Sequence, residues 1–358
     1  MKILVTGTEG YIGARLAPIL MAAGHEVVGF DTGFYREGSL YQDPKRMPVV
    51  PFTRIRDLRH ATADDFVGIE GVVHLAELSN DPLGENRPEV TYKINHEGSV
   101  YLAKLARAAG VRRFVYASSC SVYGVGGGSD FLDEESPTNP QTAYAVCKTR
   151  VERDVRPMAS KDFSVTFLRN ATAFGPSPRM RFDIVINDLC ALAWTKKHIA
   201  MTSDGSPWRP VVHIEDICAA IRCALEAPTQ AVNAEIFNVG RNSENYRVRE
   251  LAQMVEPPPT NASNRSLNVP CSGGSNGTAI SPADPAVQSR FTSCSWQAIP
   301  WSSSYASRPT QCGYYMLVFS ALRIGSVTAA TRTPGSRVRR CCVQRSRVPW
   351  SACTQEKS

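Results

Sequence analysis

The stretch from Met1 to Asp31 narrows the possible folds of this chain more than any other. Ile3-Leu4-Val5 is a continuous bulky run, Gly7, Gly10 and Gly13 follow at intervals of three, and a helix-like segment runs from Ile12 to Ala23. A second apolar run, Val27 to Phe30, then ends on Asp31. That order reads as strand, tight turn, helix and strand, with a carboxylate at the tip of the second strand.

Each part has a physical role. Gly7 allows the turn a positive φ, Gly10 lets a diphosphate approach the backbone with no Cβ in the way, and Gly13 lets the helix pack closely on the strand. Tyr11 and Ile12 complete the turn, and free amides at the helix start face the phosphates, where the helix dipole favours negative charge. Asp31 would accept hydrogen bonds from both adenosine ribose hydroxyls and repel a 2′-phosphate, which favours NAD over NADP; Arg36 is the one nearby residue that could reverse the preference. A bare glycine triplet also fits a βα turn without a ligand. Its place after a strand, before a helix and about 20 residues ahead of an acid favours a dinucleotide.

With 358 residues the chain can form a full core and about two domains. Met1 enters the first strand almost at once and no apolar run approaches the ~20 residues of a membrane helix, so a cytoplasmic protein with neither leader nor membrane span is expected. Eleven cysteines scattered through a long α/β pattern, among them Cys120, Cys147, Cys190, Cys218 and Cys223, read as reduced residues rather than bridges or metal ligands. The net charge of +7 is misleading. Between Pro257 and Ser358, ten arginines and Lys357 face only Asp284 and Glu356, so the rest of the chain is slightly acidic. A basic balance confined to that end does not make the folded part a nucleic-acid binder.

Further strands are expected at Val49–Phe52, Gly71–Ala76 and Phe114–Ala117, with a helix over Pro88–Ala109 stopped by Gly110. Strands alternating with helices at this spacing imply an α/β fold with a doubly wound parallel sheet whose ligands sit at the strands' carboxyl ends. The fifth strand runs into Ser118-Ser119-Cys120-Ser121. After a Gly126-Gly127-Gly128 loop, a helix from Gln141 to Ala159 carries Tyr144 and Lys148 one turn apart on one face. The ammonium would favour phenolate and hold a ribose hydroxyl, making the tyrosine a usable acid or base near neutral pH. Alone, such a pair is more often a solvated helix face.

Thr6-Gly7-x-x-Gly10-x-x-Gly13, Ser119 and Tyr144-x-x-x-Lys148 occur in the order of the extended short-chain dehydrogenase/reductase family, and the chain resembles its NAD-dependent nucleotide-sugar epimerase/dehydratase branch from about Met1 to Val255. The resemblance implies a Rossmann-like domain over residues 1–168. Substrate-lobe elements interleaved with the last Rossmann elements follow over 169–256, in a smaller, incomplete C-terminal lobe. It further implies that Asp57 binds the adenine amino group with Leu58 against the ring, that Leu75, Ala76 and Asn95 line the coenzyme, and that the protein forms a homodimer through helices near 88–109 and 141–159. On the substrate side it implies contacts from Ser121 and from Asn170 and Thr172 in the loop after the sixth strand, Ser164–Leu168; Thr172 stands where some epimerases carry a sugar-contacting asparagine. Arg209, in Trp208-Arg209-Pro210-Val211-Val212-His213, matches the arginine that grips the substrate diphosphate, with a surface ion pair to Asp216 as the other reading. No metal is implied.

In the implied chemistry Tyr144 takes a hydroxyl proton from a sugar, NAD takes the hydride, Ser119 steadies the nascent carbonyl and Lys148 tunes the tyrosine. Related dehydratases place Asp-Glu directly after the hydroxyl residue, and a related decarboxylase pattern keeps the glutamate; here Cys120 and Ser121 stand there. Epimerisation needs no such additional acid and is the preferred reading, with a reductase or dehydrogenase open. At Pro257-Pro258-Pro259 the resemblance stops, and the sequence to Ser358 is rich in Ser, Arg, Pro and Cys without periodicity. A frame shift near codon 257 or a disordered tail would produce it, and an NAD binder with impaired turnover is the competing functional reading.

Overall fold

The computed structural model describes residues 1–40, 51–79, 81–124, 131–201, 203–255 and 348–349. Strands β1 (Lys2–Thr6), β2 (Glu26–Asp31), β3 (Thr53–Ile55), β4 (Gly71–His74), β5 (Arg113–Ser119), β6 (Phe131–Leu132), β7 (Ser164–Asn170), β8 (Thr172–Phe174), β9 (Trp208–His213), β10 (Glu235–Val239), β11 (Asn245–Arg247) and β12 (Val348–Pro349) follow in chain order. The helices are α1 (Gly13–Ala22), α2 (Asp81–Asn86), α3 (Pro88–Thr91), α4 (Ser99–Ala108), α5 (Ala143–Val155), α6 (Val185–Lys196), α7 (Ile214–Glu226), α8 (Thr229–Val232) and α9 (Val248–Val255).

Seven strands form one parallel sheet in the order β3-β2-β1-β4-β5-β7-β10, the doubly wound arrangement expected from the sequence. Its strands read as unbroken apolar runs because helices cover both faces. Side-chain alternation sends Leu4, Val72, Phe114, Tyr116 and Phe167 to the face under α4 and α5, while Ile3, Val5, Val73, Val115 and Leu168 pack with Leu16, Leu20, Ile217 and Ile221 of α1 and α7. A third cluster, with Phe174, Met180, Ile186, Leu189, Val211, Ile214 and Leu251, builds the smaller lobe around the sheet β11-β9-β8.

Several boundaries differ from the sequence reading. The third strand is Thr53–Ile55 rather than Val49–Phe52; Val49, Val50 and the Gly126–Gly128 loop lie outside the described residues. Pairing decides this, since Gly29 to Asp31 meet Thr53 to Ile55 while Phe52 is exposed. The helix expected over Pro88–Ala109 widens at Tyr92–Gly98 into a π turn before α4 resumes. Helix α5 begins at Ala143 because Thr142 caps it, its Oγ1 accepting from the Ala145 amide. Cys120, Cys147, Cys190 and Cys218 are buried thiols outside any disulfide, but Cys223 is disulfide-bonded, which corrects the reading of all five as reduced. It lies on the side of α7 away from the buried Ile217, Cys218, Ile221, Ala224 and Leu225. Of the segment from 257 onward, Val348–Pro349 is described, paired antiparallel with Phe131–Leu132. Among the described residues no helix is long and apolar enough to cross a membrane.

Candidate active site

The glycine turn brings β1 into α1. Gly7 has φ +74°, and a Cβ on Gly13 would lie 2.0 Å from the Gly7 carbonyl oxygen, so the helix meets the strand at a distance only glycine permits. Among the described residues the amides of Tyr11, Ile12 and Gly13 have no hydrogen-bond partner, and the first turn of α1 carries no acid. This turn suits an anion. The Tyr11 side chain turns away from it into the smaller lobe, where its hydroxyl donates to the Gly175 carbonyl at 2.7 Å and Asn187 Nδ2 donates to it at 3.3 Å.

Asp31 ends β2 beside the turn, and its two oxygens accept from the Glu9 and Gly33 amides at 3.0 Å each. Arg36 is held by Glu9, with Nη2 2.6 Å from Oε1. Its charge is thereby engaged. Asp57 caps the turn Leu58–His60 and pairs with Arg59 at 2.6 Å. Leu58 is packed into the core, so close to Gly98 that a Cβ there would lie 2.3 Å from Leu58 Cδ1.

The end of β4 is locked to the turn. Thr6 Oγ1 accepts from the Leu75 and Ala76 amides at 3.1 and 3.2 Å, so its own proton goes to His74 Nδ1 at 2.7 Å. His74 is therefore the Nε2–H tautomer, donating to Ser99 Oγ at 2.7 Å, and Ser99 donates to the Asn95 carbonyl at 2.6 Å. Burial, with Lys148 adding to it, pushes the His74 pKa down to about 3 and keeps it neutral. Asn95 does not point a free amide at a coenzyme. Its Oδ1 and Nδ2 clamp the Leu78 amide and carbonyl at 2.9 and 2.8 Å, which fixes the loop after Ala76.

Helix α5 lays its Tyr144–Lys148 face over the end of β5. Lys148 Nζ donates to the Ala117 carbonyl, two residues before Ser119, and sits 5.2 Å from the Tyr144 ring centroid and 4.5 Å from that of Tyr116. The three residues expected to do chemistry are thus gathered at one strand end. Ser119 Oγ accepts from the Ser121 amide at 3.2 Å, and Ser121 Oγ is buried without a partner among the described residues. Asn170, at the end of β7, donates to the Ser118 carbonyl at 3.3 Å while its Oδ1 has no partner among the described residues. A polar substrate group would satisfy both orphaned oxygens. Thr172 and Arg209, half-buried on β8 and β9, stand on the smaller lobe's sheet, and Arg209 Nη1 donates to the Trp208 carbonyl at 3.1 Å.

Two residues absent from the sequence reading belong to the site. Arg181 reaches Ser79 Oγ at 2.8 Å and Asp183 at 2.5 Å, close enough to Tyr144 for their charges to interact. Glu77 lies against Lys148. Its signal was an acid directly after an apolar strand end, where burial is costly unless paired.

Residues 3–240 match the NAD dependent epimerase/dehydratase family. The chain belongs to that family. A UDP-glucose 4-epimerase of Neisseria meningitidis serogroup C is 28% identical over 67% of this chain and 77% of its own length. A UDP-N-acetyl-alpha-D-glucosaminuronate decarboxylase of Bacillus cytotoxicus is 26% identical over 75% and 83%. The solved structure of MoeE5 in complex with UDP-glucose and NAD has 27% identity and a TM-score of 0.61, over 71% of this chain and 81% of that one. The cofactor of this family enzyme is NAD, and the uncapped amides of the glycine turn together with Asp31 fit it.

Proposed function

We propose that this enzyme epimerises a UDP-linked hexose, at C4, through a transient keto sugar. One observation carries the reading: Tyr144 and Lys148 stand together over the β5 end that bears Ser119, while Cys120 and Ser121 occupy the two places where an eliminating enzyme needs an acid and a base. Bound NAD supplies the hydride acceptor and, on the return, the donor. Tyr144 removes the proton of the sugar hydroxyl and later returns it. Ser119 donates to the oxygen as it gains carbonyl character, and Lys148 supports the tyrosine electrostatically. Ser121, Asn170 and Thr172 orient the sugar, and Arg209 grips the diphosphate with its planar fork.

Purified protein incubated with a panel of nucleotide sugars, with products identified by NMR, tests the reading. A C4 epimer is expected; a product lacking the C6 oxygen or the carboxyl carbon, without an epimer, replaces epimerase by dehydratase or decarboxylase. Y144F should lower turnover by about 10²-fold or more and leave NAD binding intact. The enzyme pairs as a homodimer through the faces of α4 and α5, to be checked by sedimentation. A second reading, a protein that keeps NAD without turnover, is favoured by the change of composition at Pro257. Resequencing the coding DNA tests the frame shift behind it, and NAD uptake with no product from any sugar supports the silent binder.

A further inference from the structure

A fully buried acid lies beside Lys148, where neither proton transfer nor hydride transfer calls for one. The Glu77 and Lys148 side chains are 2% and 5% exposed. One Glu77 oxygen is 2.7 Å from Lys148 Nζ, and the other accepts from the Tyr116 hydroxyl at 2.5 Å. Ser99 Oγ stands 3.5 Å away, its proton directed at the Asn95 carbonyl. Around this pair, β4 contributes neutral His74, β5 contributes Tyr116, and α5 contributes Tyr144, Cys147 and Glu152, while Arg181 in the loop before α6, matched by Asp183, faces Tyr144. Glu152 is taken up by Arg169 at 2.7 Å. Among the described residues, Glu77 is the acid with an oxygen against Lys148 Nζ.

We propose that Glu77 is a positioning residue that sets the protonation of the Tyr144–Lys148 pair, its carboxylate neutralising the lysine and holding Nζ between the β5 end and the phenol. The proposal rests on the reading of Tyr144 as the proton-transferring group. An unopposed ammonium in a dry site draws the phenol proton off at low pH, which makes a good base but a poor acid. A reversible reaction asks the same phenol to take a proton and give it back, and a matched carboxylate keeps its acidity suited to both. Burial opposes the charge on both partners. At Lys148 burial is the largest influence and works against the charge, but Glu77, Tyr144 and Glu152 together outweigh it and hold the ammonium above the ordinary lysine value, whereas at Glu77 burial outweighs Lys148, Tyr116 and Ser99 and lifts the carboxyl above the usual range.

Ultraviolet difference titration reads the Tyr144 step without turnover: wild type against Y144F, and E77Q against E77Q/Y144F. In E77Q the first proton leaves the pair at a pH lower by about one unit or more, a tenfold change or greater. E77D, which keeps the charge, moves the step by less. An unmoved step in folded E77Q overturns the proposal, as does an E77D shift as large as that of E77Q, which would assign the effect to packing. In wild-type protein carrying ¹³C at its glutamate carboxyls, the Glu77 carbon should report an ionised carboxylate at neutral pH; a protonated carboxyl there overturns the proposal even if E77Q does not fold. Failure to turn over any nucleotide sugar would sink the functional reading and leave these titrations standing.

Discussion

His74 links the glycine turn to the helix behind it, and its burial makes stability depend on pH. Below pH ~6.5 the unfolded chain takes up a proton on this imidazole, while the folded protein refuses it down to about 3. Stability is therefore lost as pH falls through that window, by up to about 1.4 kcal/mol per unit from this group. Denaturant midpoints measured from pH 7 to 4 should show that slope, and H74Q should flatten it. Gly13 works by absence. A methyl group there meets backbone at 2.0 Å, so α1 must move from β1. G13A should cost about 1–3 kcal/mol and weaken NAD binding, read by thermal melts with and without NAD. The close approach at Gly13 and the place of Asp31 at the end of β2 were legible from sequence because turn chemistry is local. The side-chain contacts of Tyr11, Leu58 and Asn95 were not, because each is made with a neighbour many residues away.

Among the elements, α5 carries the Tyr144–Lys148 face and its start fixes where that face begins. Thr142 supplies the cap from its hydroxyl, and Glu85 Oε1 accepts from the Ala143 amide at 2.6 Å, so both the side-chain cap and the acid favour the helix N-terminus. T142A should lower stability by about 1 kcal/mol in urea denaturation and reduce turnover through Tyr144 more than it changes NAD affinity. Sequence periodicity found α5 and the helix ending at Gly110, since both bury one face. It did not find the π turn at Tyr92–Gly98. That widening keeps the apolar spacing nearly helical, and it brings Asn95 and Ser99 to Leu78 and His74 through contacts no local pattern encodes.

Across the molecule, a buried ion pair fastens α5 to the sheet. Arg169 on β7 meets Glu152 on α5 at 2.7 and 3.1 Å, Glu152 also accepts from Ser118 at 2.6 Å, and Arg169 Nη1 reaches the Tyr123 hydroxyl at 3.0 Å. Burial opposes the arginine's charge, but the hydrogen bonds and charge of Glu152 outweigh it and hold the guanidinium above its ordinary value. R169M strands the Glu152 charge and should cost about 3–5 kcal/mol in denaturant unfolding, whereas the double variant R169M/E152M should recover much of the loss. By itself the sequence determined the doubly wound sheet, the dinucleotide turn and the Tyr144–Lys148 face, because periods of two and 3.6 residues and the steric freedom of glycine are properties of neighbouring residues. Only the tertiary structure decided which charges meet: Glu77 with Lys148, Glu152 with Arg169, and Arg181 beside Tyr144. Burying a charge is tolerable only beside its partner, and that partner comes from another strand or helix, so the pairing exists only once the chain has closed on itself.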